Sequence, residues 1–388
     1  MPAYTGAMKH ALVLAALLAA GCSSAPPQPI RIKAVYSTSG PQAPLDVPSW
    51  HGVQTLVSQV NKGGGINGRK IELTLLPVDS TPATAAKVVQ NALAKDPGIE
   101  GFVGLSDTDL AIAAVGAATP SGKPFVISGA TSPLLPSAIW RPRVFLACFG
   151  DNAQAAAAAE WLIRTKGAKT AAIVYDKDKT YTSLLNQYFT SAFRHHGGRI
   201  VTRVAFKPGY YVPITHSVLN SDVVYLAAET ADDAMPIVRT LRSMGYPGLI
   251  VGGDGFDAPW KWRKNPLSTD LYFTTHAFPA ISKGAAGRRD LKAFKAAYEK
   301  TFKGETPGPF AALGRDATLV LATAIAQSNG SDRKTVNALR RGHPVAGLTG
   351  QIAYRGSSRV PDKPVALIAA TNPDKPLVEI TPGWVPTP

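Results

Sequence analysis

Val60-Asn61-Lys62-Gly63-Gly64-Gly65-Ile66-Asn67-Gly68-Arg69-Lys70-Ile71-Glu72-Leu73-Thr74-Leu75-Leu76-Pro77-Val78 sets a glycine cluster between a helix-patterned stretch and a β-type run. As text, Gly63 to Gly68 matches G-x-G-x-x-G. A dinucleotide site needs a strand before these glycines and a helix after them, so that the helix N-terminus meets the pyrophosphate. Here the helix comes first and the strand second. The glycines therefore read as a helix stop and a turn, joining two elements of an α/β alternation.

That alternation extends in both directions. Runs rich in Val, Ile, Leu and Phe lie at Ile30–Ser37, Ile71–Val78, Gly101–Gly104, Pro124–Ser128 and Val144–Phe149, with helical stretches near 48–62, 82–95 and 108–119. The pattern resumes with strands near 170–175, 199–206, 222–228, 249–253 and 270–276 and helices near 152–166, 181–196 and 231–244. Near-continuous apolar strands alternating with helices make parallel sheets covered on both faces. Two such sets predict an α/β protein of two doubly wound lobes. Helical segments near 288–302, 310–328 and 332–341, followed by β-rich residues 350–380, hold too few strands for a third sheet. They are expected to return and complete both lobes through a three-crossing hinge. Residues 30–149 and 279–354 then make the N-terminal lobe, and 150–278 and 355–388 the C-terminal lobe. Ligands of open α/β sheets bind beyond the carboxyl ends of the strands, which places a binding cleft between the lobes.

The composition, 45% hydrophobic and 17% charged over 388 residues, is that of a globular chain. The formal net charge is +15. Its basic residues fall in short groups such as Lys261-Trp262-Arg263-Lys264, Arg288-Arg289 and Arg340-Arg341, without the clustered patch or motif that nucleic-acid binding needs. Nucleic acid is not an expected partner. No G-x-S-x-G elbow and no H-E-x-x-H occurs. His195 and His196 are neighbours on a helix and point apart, and Cys22 and Cys148 make neither a disulfide framework nor a zinc set. The chain thus carries no catalytic constellation, metal set or cofactor motif, and is expected not to be an enzyme. Cys148, in Phe145-Leu146-Ala147-Cys148-Phe149, is expected to be buried and inert.

The N-terminus reads as an address. Lys9 precedes the apolar run Ala11 to Ala20, which is too short to span a membrane and suits a signal-peptide core. Ala19-Ala20-Gly21-Cys22 resembles a bacterial lipoprotein cleavage box, with Ala19 where Leu is usual and Leu18 one place earlier. Residues 1–22 are read as signal peptide and lipobox, Cys22 as the lipidated residue, and 23–29 as a Pro-rich tether. An ordinary secretory signal cut nearby is the alternative.

Val60 to Ile71 followed by Pro77-Val78-Asp79-Ser80 resembles the signature of the branched-chain amino-acid-binding protein family, the type I periplasmic substrate-binding proteins of ABC importers. Ser39-Gly40-Pro41, Phe102-Val103-Gly104, Ile127-Ser128-Gly129-Ala130-Thr131-Ser132-Pro133 and Asp176-Lys177-Asp178-Lys179-Thr180-Tyr181 match in the same order. The resemblance implies a monomer, exported to the periplasm or cell surface and held by a lipid at Cys22. It would bind an amino acid or related small carboxylate and deliver it to an ABC permease. A sensor of the same fold, or a binder of an aromatic acid or amide, stays open.

The resemblance also implies the site. Thr108 matches a hydroxyl that holds the ligand carboxylate, and Gly129, Ala130 and Thr131 match a second loop that does so. Asp107 stands where Ser is frequent and would repel a carboxylate unless turned away or used as a helix cap. Helix capping is the alternative role for Thr108 and Thr131. Asp254, in Gly252-Gly253-Asp254-Gly255, falls where the family's ammonium acceptor lies, with a turn aspartate as the alternative. Glu229 follows a strand and is either a second acceptor or a solvated helix-start residue. Tyr181 and Phe310 match cleft aromatics, with core packing as the alternative. The position of a pocket Trp in some relatives reads Ala43-Pro44-Leu45-Asp46, and Trp50 lies further along.

Overall fold

The structure, a computed structural model, describes residues 27–136, 142–210, 212–278, 285–328 and 331–388. The stretch read as a signal peptide, with Cys22, lies outside the described residues. Strands β1 (Ile30–Ser37), β2 (Ile71–Val78), β3 (Gly101–Gly104), β4 (Phe125–Ile127) and β5 (Val144–Leu146) form an all-parallel sheet in the order β2-β1-β3-β4-β5. Strands β6 (Thr170–Asp176), β7 (Arg199–Phe206), β8 (Val223–Ala227), β9 (Leu249–Gly252) and β10 (Leu271–His276) repeat that order as β7-β6-β8-β9-β10. A small hairpin, β11 (Val345–Gly347) and β12 (Gly350–Ile352), stands apart from both sheets. Then β13 (Val365–Ala369) and β14 (Pro376–Ile380) extend the second sheet antiparallel from β10. Two doubly wound lobes with a three-crossing connection are therefore present. The departure from wholly parallel sheets is the antiparallel pair that the chain's tail adds.

Both sheets are buried on two faces, and strand period 2 sorts the side chains. On β1, Ile30, Ile32, Ala34 and Tyr36 enter one core and Val35 the other. On β8, Val223, Tyr225 and Ala227 face one side and Val224 and Leu226 the other.

The returning tail positions the cleft. Helix Pro309–Ser328 is long and apolar enough to cross a membrane by length and composition, but it is buried along most of its length. It packs on helix Ala43–Lys62 at backbone contact. A Cβ on Gly52 would stand 1.8 Å from the Ala311 carbonyl oxygen, and one on Gly314 would stand 2.0 Å from that of Ser49. This approach holds the N-terminal ends of both helices, with Leu45 and Phe310, at the mouth of the first lobe. Helix Ala43–Lys62 starts before the expected residue 48 because Pro44 sits in the first turn, where no amide donor is needed.

The third crossing stays with β5 beyond the expected boundary at 354/355. Leu146 N–H donates to the Arg359 carbonyl at 2.9 Å, and Lys363 Nζ donates to the Ala147 carbonyl at 2.8 Å. Burial lowers the Lys363 ammonium to about 8. Cys148, just past β5, is fully buried, with its thiol pushed up by that burial and Sγ 3.4 Å from the Ala130 carbonyl oxygen. The glycine cluster forms the expected stop and turn, with Gly64, Gly65 and Gly68 at positive φ and Ile66 bridged to Arg69.

Candidate functional site

The carboxyl ends of the two sheets face each other, and a small cavity of about 10 Å³ lies between them. That is room for about one water. Thr108, Asp107, Thr131 and Phe310 line it from the first lobe, and Tyr181, Glu229 and Asp254 from the second. Gln42, Leu45, Ser106 and Gly255 complete the wall.

In the first lobe β3 ends at Gly104, and helix Thr108–Ala118 begins four residues later. Asp107 is the cap of this helix: its Oδ1 accepts the Leu110 N–H at 2.6 Å. Thr108 is the first helical residue and caps nothing. Its Oγ1 is buried without a hydrogen-bond partner among the described residues. Thr131 starts no helix; its Oγ1 lies 3.5 Å from Gln154 Nε2. Gly129 and Ala130 stand behind the wall, and both their N–H groups donate to the Leu105 carbonyl at 3.1 Å. A Cβ on Gly129 would meet Ser106 Oγ at 2.7 Å and the Phe310 ring at 3.0 Å, so this glycine makes room for Phe310.

In the second lobe Asp254 opens a short turn after β9 and is 3% exposed. Its Oδ1 accepts from Gln154 Nε2 at 2.8 Å and Tyr181 Oη at 2.7 Å, and its Oδ2 lies 3.2 Å from His276 Nε2. Gln154 is oriented by Thr274, whose hydroxyl donates to Oε1 at 2.8 Å. Burial holds the His276 imidazole below its usual range. His276 stacks on Phe149 and meets Phe310 edge-on at 5.5 Å. Glu229 is buried and does not cap: Thr230 begins the helix Ala231–Ser243, taking the Asp233 N–H at 3.1 Å. Lys179 Nζ lies 2.7 Å from Glu229 Oε2. Burial, then the facing Asp107, push the Glu229 carboxyl up to about 9, and burial raises Asp107 as well. Asp46, behind Asp107, is pushed up to about 7, and Asp151, beside Gln154, to about 8, each chiefly by burial.

Beyond Phe310 and His276 a wider cleft of about 610 Å³ opens, walled by Pro44, Val47, Trp260, Phe278 and Tyr298. Trp50 packs instead near Tyr36, with ring centres 6.4 Å apart. Among the described residues no group of three or more His, Cys, Asp or Glu side chains is arranged to hold a metal ion.

Sequence reasoning missed Gln154, His276, Asp46 and Asp151. Gln154 carried a faint signal, a lone amide three residues from Asp151 in an alanine-rich helix. His276 carried none, since its meaning depends on Asp254 lying beside it.

Two lobes that meet over a cavity lined from both sides define a two-lobed solute-binding protein. The model of the family described as "Periplasmic binding protein" matches residues 29–374, and the chain belongs to that family. It is similar to the Leu/Ile/Val-binding protein homolog 3 of Brucella melitensis, with 26% identity over 86% of this chain and 89% of the relative. A leucine binding protein from Thermotoga maritima superposes with a TM-score of 0.79 at 25% identity, covering 91% of this chain and 99% of that one. A solute binding protein from R. palustris in complex with 4-hydroxybenzoate shares the fold, with a TM-score of 0.75, 17% identity, and coverage of 92% and 98%.

Proposed function

We propose that this protein is the solute receptor of an ABC importer, exported, tethered through a lipid on Cys22, and working as a monomer that hands its solute to a permease. The observation that carries this reading is the convergence of side chains from both lobes on one interlobe cavity, where the buried Thr108 hydroxyl has no partner among the described residues. Closure around the solute needs no catalysis; the solute's greater affinity for the closed form sets the population. Thr108 and Thr131 present hydroxyls to the solute, Glu229 and Asp254 face its ammonium group, and Asp107 stands opposite Glu229. Tyr181 and Phe310 supply the walls, while Gly129 and Ala130 shape the loop behind.

An amino acid or a related solute fits this assignment, and the relatives named for leucine, isoleucine and valine support it. An aromatic acid is the second reading, favoured by the ring-lined outer cleft and by the neighbour holding 4-hydroxybenzoate. A thermal-shift screen of amino acids, their des-amino analogues, aromatic acids and amides decides between them. A ligand at about a thousand times its Kd adds roughly 4 kcal/mol of stability, which raises Tm visibly. Amino acids that act where des-amino analogues do not support the ammonium wall; the reverse pattern supports the aromatic acid. A wholly silent screen defeats the receptor reading. For the anchor, Cys22→Ser should release the protein from the membrane fraction and abolish incorporation of labelled fatty acid.

A further inference from the structure

The first lobe is polarised along its strands. Asp46, Asp107 and Asp109 lie at the carboxyl ends, at the starts of helices Ala43–Lys62 and Thr108–Ala118. The amino ends carry the opposite sign. Lys62 and Lys95 stand in the last turns of helices Ala43–Lys62 and Pro82–Lys95, and Lys70 immediately precedes β2. Arg333 and Lys334 join them at the start of helix Asp332–Arg341, which Asp332 pins to this end through Lys123, two residues before β4. These five cations are exposed, and among the described residues none of them has an ion-pair partner. Neighbouring acids are spent on other cations: Glu72 on Arg31, Asp96 on Lys33, Glu100 on Arg69 and Asp332 on Lys123.

The chain enters the first lobe at this same end. Ile30 N–H donates to the Lys70 carbonyl at 2.7 Å, and Arg69 donates to the carbonyls of Gln28 and Pro29 at 2.8 and 3.0 Å. Pro27 lies beside the glycine turn, where a Cβ on Gly68 would stand 3.7 Å from its ring. Cys22 precedes Pro27 by five positions, so the reach of the chain keeps it within about 18 Å of this face. A lipid on Cys22 would thus let the face settle on a bilayer, where the potential of anionic headgroups decays over about 8 Å in physiological salt.

Resting on the lipid-anchor reading above, we propose that this face is a docking surface for anionic lipid, so that an acyl chain and a basic patch hold the protein together. Charge selects the end that turns to the membrane: the acidic carboxyl ends are repelled and the amino ends are drawn in. Strand β2, eight residues long, separates the two ends by about 26 Å. The cleft is therefore held off the lipid and open to solute.

The chain from Ser23 onward carries no lipid and keeps every described residue. It is sedimented with vesicles of phosphatidylglycerol and phosphatidylcholine in equal parts, and with vesicles of phosphatidylcholine alone. At low salt it should bind the anionic vesicles only, and about 1 M salt, where charges are screened beyond about 3 Å, should release it. Each cation at the surface strengthens binding about fivefold, so Lys62→Glu, Lys70→Glu and Lys95→Glu together should weaken it by about a hundredfold or more. Arg194→Glu, Arg199→Glu and Arg239→Glu, at exposed positions of the second lobe, change the net charge equally and should leave binding nearly unaltered. On the unaltered protein, anionic vesicles should shield Lys62, Lys70 and Lys95 from acetylation and leave Lys169 and Lys207 of the second lobe reactive. Equal binding to both vesicles, no binding to either, equal loss in both triple variants, or shielding spread over both lobes overturns the proposal. Each of these outcomes leaves the anchor to fatty-acid labelling at Cys22 and the receptor reading to the solute screen.

Discussion

Asp109 of the first lobe caps a helix of the second. Its carboxylate accepts the Thr180 hydroxyl at 2.5 Å and lies 3.4 Å from the Thr180 N–H, at the start of helix Thr180–His195. That helix has no side-chain cap of its own, because Lys179 occupies the cap position. Its unpaired amides and positive dipole end are therefore met by an acid from across the cleft. This bond exists only while the lobes are together, so it acts on closure and not on the folding of either lobe.

Asp109→Ala and Thr180→Ala should each shift the lobes toward the open form. The pair is half-exposed, so about 1 kcal/mol, or roughly a fivefold change in population, is reasonable for a bond to a charged acceptor. Small-angle scattering should show a larger radius of gyration for each variant, and the double variant should add little to either single change. Fully additive effects would show that the two residues act separately.

Much of the fold was legible because strands and helices announce themselves through local periodicity. The strand Ile71–Val78 and the helix Pro82–Lys95 fall where the pattern put them. The hairpin at Val345–Ile352 escaped notice, since three-residue strands have too few positions to show a period. At the site, Thr108, Thr131, Tyr181, Asp254 and Phe310 stand in loops that the resemblance singles out, and all of them line the interlobe cavity. Gln154, His276 and Lys179 were beyond reach for a different reason. They gain their meaning from partners 100, 22 and 50 residues away in turn, Asp254 for the first two and Glu229 for the third, and local sequence does not record such meetings. The capping role of Asp107 was open in the sequence and became definite once its carboxylate was seen on Leu110 N–H.

Stability should depend on pH in a way that Glu229 controls. Burial pushes Glu229 up to about 9, Asp151 to about 8, Asp46 to about 7 and Asp257 to about 6. In the unfolded chain such groups titrate near about 4. The native protein thus holds more protons than the unfolded chain above that pH. Their contribution is complete below about pH 4 and is lost as pH rises through the folded values. Lys363, lowered to about 8, acts with the opposite sign above that pH. Glu229→Gln resembles the protonated carboxyl and has no proton to lose. The Tm of this variant minus that of the native protein should be near zero at pH 5 and grow increasingly positive toward pH 9. A flat difference would assign Glu229 an ordinary acidity.

Tyr181 should matter to Asp254 before any solute arrives. Its hydroxyl donates to Asp254 Oδ1 at 2.7 Å and accepts the Gly255 N–H at 3.2 Å, so it ties the acidic turn together from both sides. Tyr181→Phe leaves one buried amide without its partner, and Asp254 Oδ1 with Gln154 alone. Unpartnered buried groups cost about 1–3 kcal/mol. The urea midpoint should fall accordingly with an unchanged slope, which marks lost stability in an intact fold.

Gly129 and Phe310 should prove coupled. The ring is 4% exposed, separates the inner cavity from the outer cleft, and rests edge-on against His276. In Gly129→Ala the new methyl would stand 2.7 Å from Ser106 Oγ, which can rotate aside, and 3.0 Å from Phe310 Cε1, which is fixed by its neighbours. Overpacking of this kind costs about 1–3 kcal/mol. Phe310→Leu in the same chain removes the obstructing edge, so the double variant should recover part of the stability that Gly129→Ala loses. Phe310→Leu alone should be destabilising, because the ring's packing against His276 is gone. Denaturation of the four proteins of this cycle gives the coupling directly. A sum of independent losses would mean that the loop moves as a whole and that Gly129 is not what seats the ring.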